Sequence, residues 1–116
     1  MEECIFCKIV SKEIPASVVF EDAEIIAFED VSPLAPVHIL LIPKRHIGSV
    51  TEISESDAEL MGKLVFRAKE LAKQTGTDEG GYKLLLRAGK DGGQEVPHIH
   101  LHLIGGGPLY EEIRLI

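Results

Sequence analysis

Three histidines occupy alternate positions near the end of the chain, where residues 98–104 read HIHLHLI. On a β-strand, side chains two residues apart point to the same face, so His98, His100 and His102 would project together while the apolar residues between them face the core. Successive histidines would then lie about 6.6 Å apart, from a rise of about 3.3 Å per residue. At that spacing, neighbouring imidazoles can act on one phosphate group.

A neutral imidazole is itself a nucleophile toward phosphorus, and it forms a covalent nucleotidyl-histidine that water later cleaves without a metal. One ring nitrogen must be held as a donor, commonly to a backbone carbonyl, so that the other presents its lone pair. His100 is best flanked for this attack, and His102 is best placed to protonate the leaving group. Two other interpretations are open: a polar solvent face of an edge strand, and a catalytic zinc site.

Two cysteines near the start of the chain, Cys4 and Cys7, have the spacing with which two thiolates share one tetrahedral metal ion. Such a site needs two further ligands. The alternatives are reduced free thiols and a redox pair, although a redox pair normally follows a strand in a βαβ unit. A disulfide is disfavoured in a reducing compartment.

Length and charge limit the class of protein. A chain of 116 residues fits one domain over 1–116, since chains of this size bury one core. The net charge of −7 opposes attraction to nucleic acid or to anionic lipid. Acidic residues stand where a signal peptide needs basic ones, and the first apolar run is too short to span a membrane. We therefore expect a cytoplasmic protein without nucleic acid or membrane partners.

The hydrophobic pattern predicts five strands and two helices. A helical repeat over 4–11 indicates a short opening helix, and a longer apolar stripe begins near Ser54 or Ser56 and ends before Gly76. The predicted strands are 18–20, 25–28, 37–42, 82–86 and 99–104. Because the strands are mostly adjacent in sequence, we predict an α+β fold with an antiparallel sheet of about five strands, one long helix and one short helix.

The pattern HIHLHLI, preceded by Gly92-Gly93-Gln94, resembles the signature of the histidine triad superfamily. Further matching segments place the chain with the Hint-like branch of purine nucleotide-binding phosphoramidases, and the resemblance covers nearly the whole chain. These segments are Ile5-Phe6 with Lys8-Ile9, and the stretches 13–16, 28–33, 35–38, 42–47 and 91–94. The resemblance implies a HIT-like fold.

The resemblance also implies a role for each matched position. His100 corresponds to the nucleophile, His102 to the contact with the leaving group and phosphate, and His38 to a fourth active-site histidine; His98 completes the catalytic set. Asp30 corresponds to the acceptor of the ribose hydroxyls. The implied base pocket is apolar and comprises Ile5, Phe6, Ile9, Phe28 and Val31. The implied phosphate loop comprises Gly93, Gln94 and Glu95. Histidine rather than glutamine at position 102 favours hydrolysis over nucleotidyl transfer.

The same resemblance implies a structural zinc ion held by Cys4, Cys7, His46 and His98, no catalytic cofactor, and a homodimer. The expected ligands are purine nucleotides such as AMP or GMP and their phosphoramidates. An alternative is a regulatory module that binds purine nucleotides without catalysis. Two positions depart from the family pattern, Arg87 for an asparagine and Glu95 for a hydroxyl residue. We hypothesise that the Glu95 side chain points outward, toward Arg87, while its backbone N–H serves the phosphate.

Overall fold

A computed structural model describes residues 4–109, and its centre is a five-stranded sheet in the order β1-β2-β3-β5-β4. Every neighbouring pair of strands is antiparallel, which confirms the predicted α+β class. The strands are β1 (Val18–Glu21), β2 (Ile25–Glu29), β3 (Val37–Pro43), β4 (Tyr82–Leu85) and β5 (Leu101–Gly105). The helices are α1 (Ile5–Val10), α2 (Ala58–Gln74) and α3 (Thr77–Gly80).

The two faces of the sheet are covered by different helices. On one face, Leu41 and Leu103 belong to a core cluster that includes the buried side chains of α2. On the other face, Phe28 and Ile42 pack with Phe6 of α1. Residues 25–28 of β2 and 39–42 of β3 are therefore continuous apolar runs, as expected for strand segments that are buried on both sides.

α2 buries one stripe of its surface and exposes the rest. Its buried residues recur at intervals of three and four, which is the spacing of one helical face. They are Leu60, Leu64, Ala68, Leu71 and Ala72. A short 3-10 turn (Glu55–Asp57) precedes it, in which the Ser54 N–H donates to Asp57 Oδ2 at 2.8 Å. No helix within residues 4–109 is both long and apolar enough to cross a membrane.

β5 begins two residues later than the pattern predicted, at Leu101 instead of Ile99. Its pairing with β3 ends at Leu41, and Pro43 further along β3 has no N–H with which to continue the ladder. The Ile99 N–H donates instead to the Ile47 carbonyl at 2.8 Å. His98 and His100 therefore lie on a segment just before the strand, and only His102 lies within it.

The core between α2 and the sheet provides a test of this packing. Leu64 is 2% exposed, so Leu64→Ala removes buried methyl groups and leaves a cavity. We expect the free energy of unfolding to fall by about 2–5 kcal/mol, measured by urea denaturation. Val65→Ala is the matched control, because Val65 is 48% exposed and its truncation changes stability by about 0.5 kcal/mol or less. Equal losses in both variants would contradict the assigned helix face.

Candidate active site

A pocket of about 480 Å³ opens on the sheet face opposite α2. This volume is within the usual range for pockets that bind small molecules. Three of the five histidines line it, together with polar and charged residues from the loops that follow β2 and β4. The lining residues are Asp30, Ser32, Leu34, His38, Arg87, Gly93, Glu95, His100 and His102.

The ring of His100 is held in one tautomer by the backbone. Its Nδ1 lies 2.8 Å from the carbonyl oxygen of His98, and because a carbonyl only accepts, Nδ1 carries the proton. In the neutral ring the lone pair is then on Nε2. Phe6 packs edge-on against this imidazole, with ring centroids 5.1 Å apart. His100 therefore has the geometry of a preoriented nucleophile.

A chain of hydrogen bonds fixes the two neighbouring histidines. The Leu34 N–H donates to Nδ1 of His38 at 3.1 Å, so the neutral His38 ring carries its proton on Nε2. That nitrogen donates to Nδ1 of His102 at 2.9 Å and is 3.4 Å from Asp30 Oδ2. His102 must then carry its own proton on Nε2. Among the described residues this buried Nε2 has no hydrogen-bond partner, so it is a donor ready for a ligand.

His38 and His102, the two histidines joined by this hydrogen bond, both favour the neutral form. Burial, together with the charges of His100, His38 and Arg87, lowers the pKa of His102 to about 4. Burial also lowers the pKa of His38, although the Asp30 carboxylate opposes the shift. At neutral pH His102 therefore presents an N–H hydrogen-bond donor, not an imidazolium.

Asp30 is held in place by the loop that follows β2. Its Oδ1 accepts the Ser32 N–H at 2.8 Å, while Oδ2 faces His38. Ser32 and Leu34 of the same loop also line the pocket, and the sequence analysis missed both. The proximity of Ser32 to Asp30 was a usable signal, whereas the contribution of Leu34 is a backbone amide and has no side-chain signature.

Two of the three predicted phosphate-loop residues use their backbone amides within the glycine-rich loop. The N–H groups of Gly93 and Gln94 donate to carbonyls within the loop, and Gly93 adopts a φ of 80°, which favours glycine. The Gln94 side chain donates to the carbonyls of Gly48 and Val96 and accepts from the Gly89 N–H. Among the described residues, the N–H of Glu95 has no partner. Of the three predicted phosphate-loop residues, Glu95 is thus the one with a free amide.

Residues expected to form a base pocket lie elsewhere than in the histidine pocket. Phe6, Ile9 and Phe28 are buried in the cluster between α1 and the sheet. Ile5 is 46% and Val31 is 96% exposed. Their role in base binding stays a prediction.

A second cluster joins Cys4, Cys7, His46 and His98, whose ligand atoms all lie within 4.8 Å of one another. Nδ1 of His98 is 3.4 Å from Cys4 Sγ and 3.6 Å from Cys7 Sγ, and Nδ1 of His46 is 3.2 Å from Cys7 Sγ. In a tetrahedral zinc site, sulfur and nitrogen ligands are about 3.6 Å apart. These four side chains are therefore close enough to bind a metal ion.

Burial favours the neutral form of His98, and a hydrogen bond places its lone pair on Nδ1. Its Nε2 donates to the Pro43 carbonyl at 2.8 Å, which leaves the lone pair on Nδ1 facing the two sulfurs. Burial lowers the pKa of His98, so the neutral ligand form is favoured. Burial and the adjacent Cys4 raise the pKa of the Cys7 thiol, and metal binding must therefore displace its proton.

Comparison with known proteins identifies the family. A family model described as "HIT domain" matches residues 11–109. The chain belongs to the HIT domain family. A crystal structure of a HIT family hydrolase from Legionella pneumophila Philadelphia 1 resembles this HIT domain with a TM-score of 0.91 and 50% identity, covering 93% of this chain and 96% of that one.

Curated relatives are similar over almost their whole length. Protein HitA of Neisseria gonorrhoeae is 48% identical over 90% of this chain and 97% of its own. The purine nucleoside phosphoramidase of Escherichia coli strain K12 is 45% identical over 93% of this chain and 91% of its own. The resemblance inferred from the histidine pattern is thereby confirmed.

The sequence hypothesis that the Glu95 side chain points toward Arg87 is not matched by a contact between the two residues in this HIT domain. Arg87 donates to the carbonyl of Gly92 at 3.4 Å, and within the described part of the chain it forms no ion pair with Glu95. Both residues line the pocket. Arg87 was absent from the predicted site residues because a lone arginine after a strand carries no recognisable pattern.

The lowered pKa of His102 predicts how stability varies with pH. Between about pH 6.5, its ordinary pKa, and about pH 4, the unfolded chain binds more protons than the folded chain, so the free energy of unfolding decreases as pH falls. His102→Gln keeps an N–H donor but cannot titrate. We expect the variant to lose less stability than the wild type across this range in urea unfolding. Parallel curves would show that His102 titrates normally in the folded protein.

Proposed function

We propose that this chain is a hydrolase that releases a purine nucleoside monophosphate from a phosphoramidate or phosphoanhydride through a nucleotidyl-histidine intermediate. The observation that carries the proposal is the hydrogen bond from Nδ1 of His100 to the His98 carbonyl, which frees Nε2 beside the unpaired N–H of His102. The similar Escherichia coli protein is a purine nucleoside phosphoramidase, and the Legionella protein is a HIT family hydrolase.

Substrate binding is assigned to groups of this pocket and to apolar residues outside it, of which Phe6 contacts His100. The Asp30 carboxylate accepts hydrogen bonds from the ribose hydroxyls, and the free N–H of Glu95 donates to a phosphate oxygen. The apolar residues Phe6, Ile9 and Phe28, with Ile5 and Val31, are proposed to receive the base. Gly93 allows the turn, and Gln94 supports the loop by tying it to Gly48.

The first chemical step forms a bond between His100 and the substrate. Nε2 of His100 attacks the α-phosphorus, and the bond to the leaving nitrogen or oxygen breaks with its electron pair on the leaving atom. The N–H of His102 donates a hydrogen bond to that atom as negative charge develops there. With a pKa of about 4, His102 acts as a fixed donor, and the leaving group takes its proton from solvent.

The second step regenerates the enzyme. Water attacks phosphorus, the bond between phosphorus and Nε2 breaks, and the electron pair returns to His100. The proton released by water balances the one taken up by the leaving group. Because Nδ1 of His100 stays bonded to the His98 carbonyl throughout, the ring returns to its reactive tautomer without rotating.

A catalytic metal in the pocket is disfavoured by the tautomers. Asp30, His38 and His102 have ligand atoms close enough for a metal. However, Nδ1 of His38 accepts the Leu34 N–H, so the nitrogen that faces Asp30 and His102 carries a proton and has no lone pair for a metal. This favours the covalent route over a metal-activated water.

The ligand set Cys4, Cys7, His46 and His98 is assigned to a structural zinc ion. Four protein ligands close the coordination sphere, which is typical of structural zinc sites. The bound ion would tie α1 to the segments before α2 and β5.

We also propose a homodimer. Among residues 4–109, β4 is an edge strand of the sheet, and an unpaired edge is a template for pairing with another chain. Leu84 and Leu86 on or next to this strand are 37% and 41% exposed, which is consistent with their burial by a second copy.

Hydrolysis of adenosine 5′-phosphoramidate tests the proposed function. We expect the wild type to release AMP and His100→Ala to be slower by at least about 10³-fold in kcat, because the nucleophile is removed. Lys73→Ala is the control, since Lys73 is exposed on α2, which covers the opposite face of the sheet. Circular dichroism establishes that each variant is folded. A wild type that binds AMP without turnover would instead support a regulatory nucleotide-binding module.

Metal analysis tests the zinc assignment. Protein purified without chelators should contain one zinc per chain, and a Cys4→Ser, Cys7→Ser double variant should contain none and unfold at a lower temperature, because metal binding is coupled to folding. Chelation should leave AMP release intact in the fraction that stays folded. Purified wild type that contains no metal would contradict the assignment.

A further inference from the structure

Arg87 is a charged residue of the pocket that the proposed mechanism does not use. Its guanidinium lies against Gly93, since a Cβ built on that glycine would be 3.1 Å from the Arg87 Nη1. Its hydrogen bond to the Gly92 carbonyl is long, at 3.4 Å. Within the described residues Arg87 has no carboxylate partner, although Glu95 lines the same pocket.

Several other cations of this acidic chain have carboxylate partners. Lys12 and Lys44 pair with Glu21, and Lys63 pairs with Glu24. With a net charge of −7, the chain has an excess of carboxylates. An unpaired guanidinium beside a reactive pocket is therefore available for an anionic ligand.

Arg87 lies on the side of the pocket where the leaving group of the substrate would bind. It lines the pocket with His102, and its positive charge is one of the influences that lower the pKa of His102. The N–H of His102 is the proposed donor to the leaving atom. A charge close to His102 therefore acts on the leaving group more directly than on the base or ribose.

We propose that Arg87 is a specificity-determining residue that selects substrates whose leaving group carries a carboxylate or phosphate. This inference rests on the proposed function. A guanidinium binds a carboxylate or phosphate through two parallel N–H donors. An uncharged leaving group cannot form this charged, bidentate interaction. Glu95 repels the same anions, so the selectivity comes from the position of Arg87 and not from the net charge of the pocket.

Three matched AMP phosphoramidates test the assignment. Their leaving amines are β-alanine, β-alaninamide and phosphoethanolamine, which differ in bearing a carboxylate, an uncharged amide or a phosphate. Calorimetry on zinc-loaded His100→Ala protein measures binding without turnover. Because the transferred phosphate is common to all three, its contacts cancel in the comparison.

We expect the dissociation constants of the carboxylate and phosphate conjugates to be lower than that of the amide conjugate by about tenfold or more. Adding Arg87→Gln should abolish this preference and leave the affinity of the amide conjugate nearly unchanged. Arg87→Lys should keep part of it. Lys90→Gln is the matched control, because Lys90 is an exposed cation of the same loop that does not line the pocket, and it should keep the full preference. Turnover by protein with His100 intact should follow the same order in kcat/KM.

Three negative results are distinguishable. If all three conjugates bind but with equal affinity, or if Arg87→Gln weakens all of them equally, Arg87 does not recognise the leaving group and the proposed hydrolase function stands. A preference for the phosphate conjugate alone would overturn the carboxylate part of the inference. If none of the three binds, the nucleotide pocket itself is wrongly assigned, and both proposals fail.

Discussion

The hydrogen bond between Nδ1 of His100 and the carbonyl of His98 is the interaction on which the rest of the site depends. The two atoms are 2.8 Å apart, and the hydrogen bond sets the tautomer of the reactive ring. The acceptor belongs to a residue whose own ring is 0% exposed and packed against Cys4 and Cys7. His98 therefore joins the cysteine and histidine cluster through its ring and the reactive pocket through its carbonyl.

The antiparallel sheet makes this arrangement possible by separating its two faces. Alternation along β3 and β5 sends Ile39, Leu41 and Leu103 toward α2, and His38 and His102 toward the pocket. Burial on the pocket side then has a chemical consequence, because it lowers the pKa of His102 and His38 and keeps both rings neutral. Neutral rings can form a directed chain of donors and acceptors, which two imidazolium ions could not.

The fold and the central chemistry were accessible from the sequence because both depend on short-range periodicity. The alternation in HIHLHLI correctly assigned Ile99, Leu101 and Leu103 to the core, although the strand itself begins only at Leu101. That boundary was missed because it depends on Pro43, which lies in a distant segment that pairs with β5. The contributions of the Leu34 amide and the Gln94 side chain were missed for a similar reason, since each depends on a partner elsewhere in the fold.

By itself, the sequence determined which residue types were available: three alternating histidines, a cysteine pair and a glycine turn, each with local spacing that limits its chemistry. Only the tertiary structure decided which of these residues belong to the pocket, which belong to the cysteine and histidine cluster, and how each side chain is oriented. It turned the His98 ring toward the cysteines, oriented His38 between Leu34 and His102, and left Arg87 without a carboxylate partner in the part of the chain described. These outcomes depend on contacts between segments that are far apart in the chain, and no local pattern encodes the direction in which a side chain will find its partner.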